Sequence, residues 1–242
     1  MIINLTKTNY IVFHTNYCNN KDILNNVTLS IESVPMNKVN TVNFLGVHIQ
    51  SNMSWDVHIT NVSNKVSKCI GILYKLKHVL PQSTLLLLYN TFLYPYLNYC
   101  IIVWGNHNKT RMDLLHKLQK KALRICTGSH YLSHSAPIFK ELNTLNIFDI
   151  YTYNIAILGF YFFKNMLPHN ISAMFCTNDT VHNYDTRNSN NLHMYVVKSN
   201  LIKNSIRHQF PVIWYTIPTE IRSYNSLARF KRELKKYLVT KY

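Results

Sequence analysis

The sequence predicts an α+β fold that is mainly α, with a small antiparallel β-sheet at its start, a helical bundle after it and a small helical unit at its end. Residues 1–50 contain short runs rich in β-branched and aromatic residues. From residue 56 onward the apolar residues recur with a helical period. The chain has 242 residues, 47% of them hydrophobic, which is enough to bury a core.

Three short strands are predicted within residues 1–54, at residues 10–14, 27–31 and 43–49. Asn-rich and Pro-containing turns separate these strands. The segment is too small for an independent domain, and it has the pattern of an antiparallel sheet that lacks its other strands.

Helices are predicted over residues 55–167. The first, at about residues 56–78, has its apolar residues at i, i+3, i+4 and i+7 spacing. Lys65, Lys68 and Lys75 fall on its opposite side.

The segment from Leu85 to Trp104 is the most apolar part of the chain and resembles a membrane span. It nevertheless contains Asn90, Pro95 and Asn98, and these polar or helix-breaking residues disfavour insertion into lipid. We therefore predict a buried, proline-interrupted helix pair here, and no membrane association.

A further helix is predicted to begin near Thr110 and to stop at Gly128. Its predicted apolar arc consists of Leu114, Leu115, Leu118, Ala122 and Ile125. A separate arc, about 100° wide on the helical wheel, holds four cations with no acid among them, Lys117, Lys120, Lys121 and Arg124. Such an arc fits either a solvated face or a surface for an anionic partner.

The rest of the chain is predicted as a helix pair over residues 135–166, an Asn-rich loop at residues 168–191 and a basic helical unit at residues 192–242. Within that unit a strand is predicted at residues 192–197 and helices at residues 201–214 and 226–238. The last helix is predicted to expose Arg229, Lys231, Arg232, Lys235 and Lys236.

The net charge favours a polyanionic partner. The chain carries 26 Lys and Arg against 10 Asp and Glu, a formal charge of +16. Nucleic acid is the first candidate for such a partner, and an anionic membrane surface is the second. No two of the ten acids are adjacent or one residue apart, so paired-carboxylate catalysis has little support.

Cysteine usage indicates a reduced, intracellular protein. The five cysteines are odd in number, scattered and without a C-x-x-C pair. We see no secretory signal in the first residues and expect a protein that is not secreted, in either nucleus or cytoplasm.

Cys126, His130 and His134 have zinc-like spacing, but Gly128 breaks the helix between them. We therefore predict no metal site, and the isolated glycines exclude a nucleotide-binding loop.

Several local patterns, taken in order, resemble reverse transcriptases of non-LTR retrotransposons of the LINE, jockey and CR1-like type. Asn4-x-x-Lys7-Thr8-x-Tyr10-x-x-Phe13 comes first, and Phe44-Leu45-Gly46-Val47 precedes Trp55-x-x-His58-Ile59. The run Leu118-Gln119-Lys120-Lys121-Ala122-Leu123-Arg124 follows. His182 to Arg187, and Trp214-x-x-Ile217-Pro218 with Phe230-Lys231, complete the resemblance over essentially the whole chain.

This resemblance implies a division of the chain. Residues 1–54 would be the end of the polymerase palm, residues 55–167 a thumb-like helical region, and residues 192–242 the C-terminal unit. Lys7 would match the palm lysine near the incoming nucleotide's phosphates. Phe44, Leu45, Gly46 and Val47 would match the strand that grips the primer.

The same resemblance implies a chain without catalytic residues of its own. The family uses Mg²⁺ held by aspartates that would precede Met1, and none of the ten acids here replaces them. We therefore expect no cofactor and no catalytic activity from the chain alone, although residual polymerase activity in trans is conceivable.

Three functional hypotheses stay open. The first is sequence-nonspecific binding of RNA or DNA, such as a primer-template duplex, through Lys65, Lys68, Lys75 and the four cations of the 110–128 helix. The second is an inert relic of a mobile element. The third is a protein-interaction module that binds another protein, or an intact polymerase palm, through uncovered apolar helix faces.

Overall fold

The computed structural model describes residues 8–14, 27–31, 33–106, 109–181 and 191–242. These residues are mainly helical, and short two-stranded ladders lie near the start of the chain, so the predicted fold class is confirmed. The chain forms two compact units, Met1–Asn64 and Lys65–Tyr242. The four-part division by function stays a prediction.

The elements are numbered here in chain order. The strands are β1 (Asn9–Tyr10), β2 (Ser30–Ile31), β3 (Val34–Pro35), β4 (Asn37–Lys38), β5 (Thr41–Phe44) and β6 (Val47–Gln50). The helices up to the longest apolar one are α1 (Asp56–Leu76), α2 (Gln82–Leu88), α3 (Tyr94–Asn98), α4 (Ile101–Trp104), α5 (Lys109–Thr127), α6 (Ser135–Glu141) and α7 (Ile147–Phe163). The later helices are α8 (His169–Ser172), α9 (Asn178–Val181), α10 (Asn200–Lys203), α11 (Ile206–Thr216), α12 (Thr219–Arg222) and α13 (Leu227–Thr240).

A hairpin is the longest ladder of the first unit. β5 and β6 pair antiparallel, and Leu45 and Gly46 form the turn between them, with φ of 49° and 84°. Positive φ at both central positions suits a two-residue turn, because its twist matches that of the strands. The predicted continuous strand over residues 43–49 is therefore wrong. β2 and β3 also pair antiparallel, whereas β1 and β4 pair parallel.

Two further strand predictions are wrong. Of the first predicted strand, residues 10–14, only Tyr10 lies in a strand, and residues 11–14 do not. At residues 192–197 only Leu192 makes a single bridge, to Thr177. The predicted loop at residues 168–191 contains the one-turn helices α8 and α9, while residues 182–190 lie outside the described residues. The predicted helices near residues 56–78, 110–128, 135–166 and 226–238 are confirmed as α1, α5, α6 with α7, and α13.

The apolar segment from Leu85 to Trp104 is helical. A π-helical turn, Tyr89–Leu93, joins α2 to α3. The helix breaks at Cys100, where φ is 50°, whereas Pro95 lies in the first turn of α3, where a missing N–H is tolerated. Among the described residues, no helix combines the length and the apolar character that a membrane span needs.

An aromatic cluster forms the centre of the second unit, where α7 packs against α11 and α13. The Phe160 and Phe230 rings lie 5.0 Å apart, and both side chains are buried. Gly159 lies directly against α11, because a Cβ at this position would be 2.3 Å from a ring carbon of Trp214 and 2.7 Å from one of Phe210. The absence of a side chain at residue 159 therefore permits this helix packing.

The substitution G159A is expected to lower the free energy of unfolding by about 1–3 kcal/mol, the usual cost of overpacking a core. Gly71 on α1 provides a matched control, because it is exposed and a Cβ added there would meet nothing within 4 Å. G71A should raise stability by about 0.5–1 kcal/mol through helix propensity. Urea denaturation of both variants measures the two effects, and equal stabilisation by both would contradict the packing described for α7.

Candidate nucleic-acid interface

Four cations occupy one face of α5, and we name them the basic arc: Lys117, Lys120, Lys121 and Arg124. Lys117 and Lys121 are exposed, whereas Lys120 and Arg124 are half-buried. None of the three lysines has an ion-pair partner within the described part of the chain. The structure therefore brings the predicted cations of this helix together on one surface.

The opposite face of α5 is buried, and a hydrogen-bonded glutamine lies at its centre. Gln119 is completely buried, and its Nε2 donates to the Tyr89 hydroxyl and to the Leu145 carbonyl, each at 2.9 Å. Burial also raises the pKa of Tyr89, so its hydroxyl stays protonated. The other buried positions are Met112, Leu115, Ala122, Leu123 and Cys126.

The predicted apolar arc of α5 is only partly correct. Leu115 and Ala122 are buried, but Leu114 is 46% exposed and Leu118 and Ile125 are half-buried. The buried face is rotated from the predicted one towards Gln119. A helical wheel that counts Met112 and Cys126 as core residues would have placed Gln119 at the centre, so the signal was present in the sequence.

Arg124 has a structural role that the sequence did not indicate. Its Nε and Nη2 both donate to the Ser133 carbonyl oxygen, at 3.0 and 2.7 Å. These bonds tie the end of α5 to the segment that leads into α6. The three lysines of the basic arc are consequently better test positions than Arg124, because their substitution removes charge without releasing that segment.

The lysines predicted on α1 are also exposed. Lys65, Lys68 and Lys75 share the side of the helix opposite its buried residues. The Lys65 ammonium lies 5.3 Å from the centre of the Tyr96 ring, a cation–π distance. Within the second unit, α1 thus places one cation, Lys65, beside an exposed aromatic side chain.

The residues that resemble palm positions lie in the first unit, except that Lys7 falls outside the described residues. Phe44 and Leu45 are 61% and 75% exposed at the hairpin tip, and Gly46 is exposed beside them. Val47 is buried. Their role in gripping a primer stays a prediction.

No group of three His, Cys, Asp or Glu side chains that could hold a metal ion occurs among the residues the structure describes. Cys126 is buried, whereas His130 and His134 are exposed. These described residues therefore do not fit the pair of Mg²⁺ ions used by polymerases, and we assign no metal-dependent step to them.

Sequence comparison finds a distant relative. A stretch of 122 residues, 49% of this chain, is 24% identical to the "Probable RNA-directed DNA polymerase from transposon X-element" of Drosophila melanogaster. The match spans 13% of that protein's length. No family model matches the chain, and no solved structure matches it significantly. Part of the chain is thus distantly related to a transposon-encoded polymerase, which supports the resemblance at this coarser level.

His116 lies on α5 next to the basic arc but contributes no charge at neutral pH. Its ring stacks on Phe139 with centroids 5.9 Å apart, and it contacts Phe148 at 5.5 Å. Burial, and then the positive charge of Lys120, lower the pKa of His116 to about 4. The charge of this surface therefore comes from lysine and arginine.

The His116 environment predicts an acid-sensitive stability. The unfolded chain binds a proton at this residue near its ordinary pKa of about 6.5, whereas the folded chain binds it only near pH 4, so stability is lost as pH falls through that interval. The free energy of unfolding of the variant H116F should therefore fall less than that of the wild type between pH 7 and about 4, as measured by urea denaturation. H134F, at an exposed position, is the control and should follow the wild type. Identical pH dependence in wild type and H116F would contradict the burial of His116.

Proposed function

We propose that the chain corresponds to the thumb-like and C-terminal part of a non-LTR retrotransposon reverse transcriptase, and that it binds RNA or DNA duplex without reading its sequence. The observation that carries this proposal is the basic arc, in which three lysines share one helix face without any ion-pair partner among the described residues. The distant similarity to a transposon polymerase supports the same class of partner.

Charge repulsion within the basic arc favours an anionic partner. Like charges at i, i+3 and i, i+4 spacing repel by a few tenths of a kcal/mol per pair. Phosphates placed along the arc would replace this repulsion with attraction and would release counterions. Lysine and arginine contacts to phosphate position a duplex but carry no sequence information, which is why we propose nonspecific binding.

The proposal also includes the lysines of α1. Lys65, Lys68 and Lys75 would add phosphate contacts, and Tyr96 beside Lys65 is an exposed ring on which a base could stack. The hairpin tip with Phe44 and Leu45 is proposed to contact the primer strand. We propose binding and no catalysis, because the described residues do not assemble a carboxylate site for Mg²⁺.

Removal of the three arc lysines tests the proposal directly. If five or six cations contact a duplex, the log–log dependence of affinity on salt should have a slope of about −4.5 to −5.4. The variant K117A/K120A/K121A should flatten this slope by about 2.7 units, because each phosphate contact contributes about 0.9. Fluorescence anisotropy with a labelled duplex at several salt concentrations measures the slope.

The control variant removes three exposed lysines outside α1 and α5, at Lys140, Lys198 and Lys203. It has the same net charge as the arc variant, so a change in overall charge alone would affect both alike. We expect the control to retain a slope close to that of the wild type. An unchanged slope in the arc variant, or equal flattening in both, would reject the basic arc as the binding surface.

Protein binding is a second candidate function, favoured by one observation. Exposed apolar side chains recur along the segment from the π-helical turn to α4, with Phe92 57%, Tyr99 51% and Val103 56% exposed. Such a stripe on a helical segment is a feature of interaction surfaces. An intact polymerase palm is the partner that the resemblance implies.

A further inference from the structure

A cavity of about 220 Å³ in the second unit is lined by polar groups from five parts of the fold. Asn90 belongs to the π-helical turn, Tyr94 to α3, Tyr153 to α7 and Lys235 to α13. The connection between α6 and α7 completes the lining with Thr144 and Leu145. No carboxylate is among these lining residues.

Four of the lining side chains have no partner. The Asn90 amide, the Tyr94 and Tyr153 hydroxyls and the Lys235 ammonium make no hydrogen bond or ion pair within the described ranges. The Thr144 hydroxyl, by contrast, donates to the Leu142 carbonyl. Asn90 is exposed and Tyr94, Tyr153 and Lys235 are half-buried, so four donors line one cavity without a protein acceptor among the described residues.

The position of Lys235 is fixed by the packing of α13. Phe230 of this helix is fully buried against Phe160, and the Tyr242 hydroxyl, just after α13, accepts a hydrogen bond from the Asn146 backbone N–H at 2.9 Å. Lys235 was predicted to be exposed, but it is half-buried at the cavity. The prediction was wrong because Lys235 lines a cavity together with residues of α3 and α7, which are distant in sequence.

Burial makes the groups that line the cavity suited to donating hydrogen bonds to an anion. It lowers the pKa of Lys235, which reflects the cost of holding a cation in this place without an anion. It raises the pKa of Tyr94, and it raises that of Tyr153 to about 12. Both hydroxyls therefore stay protonated at neutral pH and can donate.

We propose that this cavity binds a phosphate group. A phosphate offers several strong acceptor oxygens and negative charge, which match one ammonium, two hydroxyls and one amide. The volume suits a single phosphate with its waters and is below that of pockets for larger organic ligands. The group belongs either to free phosphate or to the terminal phosphate of a nucleic acid, and the latter source rests on the proposed function.

Inorganic phosphate is the first probe. Phosphate should raise the thermal unfolding midpoint of the whole chain above that in chloride at equal ionic strength, and the concentration dependence gives its affinity. K235M, which keeps the apolar stem, should weaken phosphate binding by about tenfold or more, since hydrogen bonds to charged groups are the strong ones. K236M is the control, because Lys236 is exposed and its Nζ lies 3.3 Å from Glu233; it should bind as the wild type does.

Two milder variants keep the test decisive if K235M does not fold. Y94F and Y153F each remove one hydroxyl and retain the ring, and each should weaken phosphate binding. Equal phosphate affinity in the wild type and in the folded members of this set would overturn the proposal. The arc variant K117A/K120A/K121A should lose duplex affinity but keep phosphate affinity, so the two proposals fail independently.

The source of the phosphate is distinguished with short duplexes. A duplex with a 5′-phosphate should bind more tightly than the same duplex with a 5′-hydroxyl, and K235M should abolish the difference, if the cavity holds a chain end. Lys235-dependent binding of inorganic phosphate without any preference between the duplexes would assign the cavity to free phosphate.

Discussion

The buried side chain of Gln119 determines which face of α5 meets solvent. Its amide donates to the Tyr89 hydroxyl and the Leu145 carbonyl, so the helix is joined both to the π-helical turn and to the connection between α6 and α7. A rotation of α5 would leave these buried groups unpaired, at about 1–3 kcal/mol each. Because these bonds fix the orientation of α5 about its axis, Lys117, Lys120 and Lys121 lie on the side of the helix opposite Gln119. Leu145, which accepts one of the bonds, also lines the cavity that Lys235 lines.

Apolar periodicity predicted where the helices lie in the sequence better than it predicted which face of a helix is buried. α1, α5 and α13 were found because a helix that buries one face repeats its apolar residues every three or four positions. The rotation of α5 was missed, because Leu114 and Leu118 make a second apolar flank as good as the one that is buried. Counting Met112 and Cys126 as core residues favours the buried flank, and the partners of Gln119, which are distant in sequence, fix it. The hairpin turn at Leu45 was missed for a local reason, since a leucine with positive φ gives no turn signal.

The cations of the candidate site were predictable as a set, but their individual roles were not. Spacing alone placed Lys117, Lys120 and Lys121 on one face, and the structure has them there. Spacing could not show that Arg124 donates to Ser133, nor that Lys235 is half-buried at a cavity shared with α3 and α7. These roles depend on tertiary neighbours. The tertiary neighbours of each cation decide whether it holds the fold together or remains available to an anionic partner.

Lysine footprinting shows which cations of the chain a bound duplex covers. The chain would be acetylated under limiting conditions with and without a duplex, and the extent at each lysine measured by mass spectrometry. The account predicts that the duplex slows acetylation of Lys117, Lys120 and Lys121, while the exposed Lys140 and Lys198 react as in the free protein. Uniform protection of all exposed lysines, or protection that spares the basic arc, would contradict it.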